Sequence, residues 1–71
     1  MATSDQPVRK VDVTHQGVRF TITVYQAAVG YSAQWSGDGA SAKAGFMPTI
    51  EDAIVLANFR IQEHLRQHSK L

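Results

Sequence analysis

His64 and His68 stand four residues apart. On a helix that spacing puts both imidazoles on one face, at metal-chelating distance. A closed metal site needs three or four ligands, and the only other histidine in the chain is His15. The glutamate that follows the first histidine of a zinc-protease helix is missing, because Leu65 stands there. Two histidines at a helix end have a plainer use, as donors beside the last carbonyls of the dipole. The pair is read as a helix end, and neither a metal nor any other cofactor is expected.

The remaining chemical groups converge no better. Glu51 and Asp52 are adjacent, and neighbouring helix positions do not face each other, so they are no acid–base pair. Ser32, Ser36 and Ser41 lie in no nucleophile-elbow sequence. Gly37-Asp38-Gly39 lacks the following lysine of a phosphate loop and reads as a hairpin turn. There is no cysteine, which removes thiol nucleophiles, thiolate metal sites and disulfides together. An enzyme is not expected.

The polar groups that could act together do so only if strands align them. Val11 and Val13 alternate with Lys10, Asp12 and Thr14, and a Gln16-Gly17 turn follows. Val18, Phe20, Ile22 and Val24 alternate with Arg19, Thr21, Thr23 and Tyr25, a period of two that defines a strand to Gln26. Tyr31, Ala33 and Trp35 alternate with Ser32, Gln34 and Ser36. These larger apolar side chains are assigned to the core rather than to a ligand platform. Ala40, Ala42, Ala44 and Phe46 are expected inward on a fourth strand, against Ser41, Lys43 and Gly45. Short turns make the set an antiparallel meander. Its outer face would carry Lys10, Arg19, Tyr25 and Lys43, a candidate nucleic-acid face, since sheets can enter a groove. An ordinary solvated sheet face is the favoured reading, because three spread cations release few counterions.

Pro48-Thr49-Ile50-Glu51-Asp52 opens a helix, with Thr49 as cap and two acids at the positive end. No Gly or Pro interrupts it before about His68. At about 100° per residue, Ile50, Ala53, Ile54, Ala57, Ile61 and Leu65 form the stripe that covers the sheet, with His64 and His68 at its far end. Val55, Leu56 and Phe59 are expected on the opposite side, as a dimer or partner interface. The chain has 71 residues and no staple, and at that size association is a common source of stability. A homodimer is expected.

Seven Lys and Arg oppose six Asp and Glu, a net charge of +1. That balance argues against strong attraction to nucleic acid or anionic lipid. Residues 1–7 read as a disordered tail, with no apolar core of a signal peptide, and residues 8–71 as a single β-β-β-(β)-α domain. No apolar run is long enough for a membrane helix, so no membrane association is expected and the cytoplasm is the expected location. Ser69-Lys70-Leu71 spells a peroxisomal targeting tripeptide, a match short enough to arise by chance.

From Phe20 onward the chain resembles the N-terminal domain of HicB-type antitoxins. The matching features are the strand Phe20 to Val24, Gly30-Tyr31-Ser32-Ala33, and Gly45 leading into Thr49-Ile50-Glu51-Asp52-Ala53 and Ala57. Asp52 replaces the second glutamate of the family pattern, and Gly45 stands farther from Thr49 than that pattern has it. The resemblance implies a stand-alone dimeric domain that binds a small protein partner. Such antitoxins usually add a C-terminal DNA-binding domain, which this sequence does not include, so autorepression is not expected. Ala44-Gly45-Phe46, Thr49 and Glu51-Asp52-Ala53 are also similar to the arm-binding domain of tyrosine recombinases, which implies DNA binding as the second reading. The sequence thus predicts an α+β domain, an antiparallel sheet of three or four strands with a long C-terminal helix on one face. Its expected function is non-enzymatic protein binding. Duplex DNA of arbitrary sequence, titrated near physiological salt, should bind no more tightly than the non-specific range of roughly 10⁻⁴ to 10⁻⁶ M. Sub-micromolar binding that weakens when Arg19 or Lys43 becomes Glu would reverse the order of the two readings.

Overall fold

Gln16 and Gly17 adopt φ of 54° and 79°, and Asp38 and Gly39 adopt 55° and 73°. Positive φ at both central residues defines a type I′ turn, whose twist matches that of the strands it joins. In the computed structural model, which describes residues 7–68, these turns close two of the three hairpins of a meander. The strands are β1 (Pro7–His15), β2 (Val18–Gln26), β3 (Tyr31–Gly37) and β4 (Ala40–Met47), antiparallel in the order β1-β2-β3-β4. A longer loop at residues 27–30, closed by the Ala27 amide donating to the Gly30 carbonyl at 3.0 Å, joins β2 to β3. The fourth strand is present. Pro7 belongs to β1 and pairs with Tyr25 rather than ending a tail; a strand's first position needs no amide donor. Residues 1–6 and Ser69-Lys70-Leu71 lie outside the described residues.

The helix α1 (Ile50–His68) begins where the sequence places its cap. The Asp52 amide donates to Thr49 Oγ1 at 3.1 Å, and the Ala53 amide to the Thr49 carbonyl at 3.0 Å. One side chain thereby satisfies a donor that the first turn leaves open. The helix lies over β2, β3 and β4. No described helix is long and apolar enough to cross a membrane.

Phe20, Ile22 and Val24 of β2, Ala33 and Trp35 of β3, Ala44 of β4 and Ala53, Ala57, Ile61 and Leu65 of α1 form the buried core. Small alanines on the helix let its backbone approach the sheet, while Ile61 is the helix's largest fully buried side chain. Ile50 and Ile54 pack on the margin of this cluster.

Two expected orientations are corrected. Leu56 does not point away from the sheet; it is half-buried against the core. A Cβ built on Gly45 would lie 3.1 Å from Leu56 Cδ2, so glycine there gives Leu56 its room on β4. Phe46 does not point inward. β4 pairs Lys43 with Gln34 but Gly45 with Ala33, so Ala44 is an extra residue and the strand is bulged. Beyond the bulge the alternation reverses: Phe46 pairs with Ser32 on the outer face and is 68% exposed.

Gly37 is held against the core, at φ +148°. A Cβ there would stand 2.6 Å from Phe20 Cδ2 and 2.7 Å from the Arg19 carbonyl oxygen. Gly39 also has positive φ, but a Cβ there meets nothing within 4 Å. Gly37→Ala should therefore lose about 2 kcal/mol or more, from strain and overpacking together, lowering the midpoint of thermal unfolding by roughly 10 °C for a domain of this size. Gly39→Ala should lose clearly less, and equal losses would show that contact with Phe20 is not the cause.

Candidate functional site

The two sheet faces and the outer helix face divide the candidate residues into separate groups. On the outer sheet face, pairing generates rungs of side chains. Lys10, Thr23, Gln34 and Lys43 form one, and Asp12, Thr21, Ser36 and Ser41 a second. Tyr25, Ser32 and Phe46 form a third, and Thr14 with Arg19 lies at the opposite end. Lys10 and Lys43 therefore share a rung at the two edges of the sheet. Tyr25 sits on the rung beside theirs, but Arg19 is two rungs away from them, next to the β1–β2 turn. The expected nucleic-acid face thus has its two lysines at opposite ends of one rung, Tyr25 on the next, and its arginine apart. The Thr21 hydroxyl donates to Asp12 Oδ1 at 3.0 Å, which engages the one acid of this face within its own rung.

Phe46 joins this face beside Tyr25 and Lys43, and periodicity alone assigns it to the core. The signal that marks the exception is Gly45, a glycine inside an alternating run, which commonly denotes a bulge. Tyr25, Ser32, Gln34, Lys43 and Phe46 together border a groove of about 400 Å³.

The outer face of α1 carries Val55 and Phe59, 65% and 48% exposed. They are four residues apart and so lie one turn apart on the same side. Glu51 and Asp52 precede them in the first turn, and Arg66 follows in the last, all exposed. Leu56, the third expected interface residue, is committed to Gly45 and the core instead. Arg60 and Glu63 form an exposed pair at 3.2 Å, of the kind that contributes a few tenths of a kcal/mol.

The histidines serve the packing of helix on sheet. His64 lies with its ring centroid 5.0 Å from that of Trp35 and 6.4 Å from Phe20, and its Nε2 donates to Asp38 Oδ2 at 3.2 Å. It does more than sit at a helix end beside the last carbonyls, since Asp38 ties it to the β3–β4 turn. His15 Nε2 donates to Asn58 Oδ1 at 3.0 Å and presents its ring to the edge of Phe20. Among the described residues no group of three or more His, Asp or Glu converges as a metal cage would require. The side chain of His68 lies outside the described residues.

No family model matches the chain, and no curated protein and no solved structure matches it either.

Unfolding followed with a chelator and with added zinc should give the same midpoint, because a metal bound only to the native state would raise it by mass action. A zinc-dependent rise that vanishes in His64→Ala would instead assign His64 to a site completed by groups outside the packed core.

Proposed function

We propose that this chain is a small, non-enzymatic protein-binding module that associates through the outer face of α1, with a second copy of itself as the occupant. The observation that carries this reading is the exposure of Val55 and Phe59 one turn apart, on a helix whose opposite side is already packed. Burying each of these side chains would contribute roughly 1.5–3 kcal/mol. A two-fold contact does so on both copies at once.

Charge supports a second copy over other occupants. The outer helix face runs from Glu51 and Asp52 through Val55 and Phe59 to Arg66. Two such helices packed antiparallel about an axis at Phe59 bring the acids of each opposite Arg66 of the other. The midpoint of that charge pairing falls at Phe59, so the register that pairs the charges also sets the two Phe59 rings against each other. Lone helix-pair contacts of this size sit at the small end of specific interfaces, so a reversible dimer is the expected form. The likeness to HicB-type domains, carried by the strand from Phe20 to Val24 and the Thr49-to-Ala57 helix start, points to the same class of small dimeric binding domain. A cytoplasmic location accords with this reading.

Sedimentation equilibrium over a concentration series should show monomer and dimer exchanging, with Phe59→Asp monomeric but folded. Arg66→Glu should weaken the dimer, and combining it with Glu51→Arg and Asp52→Arg should restore it. A wild-type chain that stays monomeric at high micromolar concentration, with Phe59→Asp equally stable, would refute self-association and leave the face to a different protein.

A further inference from the structure

On the side of the sheet opposite α1, Tyr25 and Phe46 flank Ser32 across three neighbouring strands. Tyr25 and Phe46 are two strand spacings apart, roughly 9–10 Å between backbones. A flat ring stacked between two others needs about 3.5–4 Å on each side, so a small lean of the two rings toward each other would close this gap on one planar ligand. Serine, the short member of the rung, leaves the floor open. Gln34 and Lys43 form the adjacent rung at one end of the slot. The groove of about 400 Å³ falls in the size range of small-molecule sites.

The bulge in β4 is what creates this slot. A regular strand would have put Phe46 into the core and Gly45 outward, leaving Tyr25 without a facing ring. Bulges occur next to binding sites because they re-aim a side chain. The chemistry of the lining then selects the ligand. Two ring faces accept a planar π-system, and the Gln34 amide offers both a donor and an acceptor to a heteroaromatic edge. Among the residues lining the groove, the one charged group is the ammonium of Lys43. Lys10 lies farther along the same rung. A nucleotide combines these features: a flat, hydrogen-bonding ring joined to an anionic phosphate.

We propose that this groove binds a nucleotide, its base stacked between Tyr25 and Phe46 over Ser32 and its phosphate at Lys43. The nucleotide is either free or part of a single strand, since base-on-aromatic stacking serves both. In a duplex the base is already stacked and paired, and entry would require flipping it out. The slot faces away from Val55 and Phe59, so it is independent of the helix contact.

The test uses the full chain at low salt, titrated with uridine and adenosine monophosphates and with oligothymidylate, read by amide chemical shifts and by anisotropy of labelled oligonucleotide. Shifts should concentrate at residues 25–34 and 43–46. Phe46→Ala, at an exposed position that leaves the fold intact, should weaken oligonucleotide binding about ten-fold, and Phe46→Tyr should retain it. Lys43→Gln should reduce the salt dependence by about 0.7 in log–log slope, the contribution of one phosphate contact on a single strand. Tighter binding of the oligonucleotide identifies a strand as the source. Binding of monophosphates without the oligonucleotide identifies a free nucleotide, and both outcomes support the slot. The proposal is overturned by the absence of shifts with every probe, by unchanged affinity in Phe46→Ala, or by duplex binding as tight as single-strand binding through these residues.

Discussion

Every element of the fold except β4 touches or borders the ring of Phe20. It is fully buried, with Trp35 against it at a centroid distance of 5.8 Å and an interplanar angle of 71°. The rings of His15 and His64 approach it from the β1–β2 turn and from α1, each at 6.4 Å. Gly37, at the end of β3, has no side chain because Phe20 occupies that space. Edge-to-face contacts of this kind are worth about 0.5–1.5 kcal/mol each beyond area burial. The two histidines also bond outward, to Asn58 and to Asp38. Phe20 therefore links the helix to both tight turns at one end of the sheet, in a chain without disulfides to do so.

The opposite end of the sheet is organised by a different constraint. There the helix must pass close to β4, and Gly45 makes the approach possible by giving Leu56 space. Accommodating that glycine on the core side requires the extra residue at Ala44, which sends Phe46 outward. One adjustment thus sets the seat of the helix on one face and the side-chain pattern of the other. The core and the outer groove are coupled through three consecutive residues.

Most of the architecture was legible because period-two alternation is unbroken in β2 and β3 and both two-residue turns carry glycine at a position of positive φ. The helix start was legible from Thr49, whose hydroxyl is the cap the pattern demands. An angular projection groups Leu56 with Val55 and Phe59 because it counts only one stripe as contact, whereas the packing of the helix on β4 also takes in Leu56 at the stripe's margin. Alternation carried through Gly45 puts Phe46 inward, because it assumes a regular ladder where β4 is bulged. Spacing alone makes His64 a helix-end residue, because its partner, Asp38, is distant in sequence and joined only by the tertiary fold. Of the outer-face residues, Lys10, Tyr25 and Lys43 could be put on one face by counting. That Lys10 and Lys43 share a rung, with Tyr25 on the next and Arg19 two rungs away, depends on strand register, which single-strand periodicity does not give.

Both margins of the sheet are irregular. β1 starts on Pro7 and shifts register between Pro7 and Arg9, and β4 carries the bulge at Ala44, whereas the central β2–β3 ladder runs without interruption. A long, even edge is a template on which a strand from another molecule can polymerise. Here a missing amide, a charged pair at Arg9 and Lys10, and two breaks in pleating deny such a newcomer a continuous row of backbone partners. Copies of this domain are thereby steered away from edge-to-edge growth into fibres, and any ordered assembly must be written in side chains rather than in shared backbone ladders.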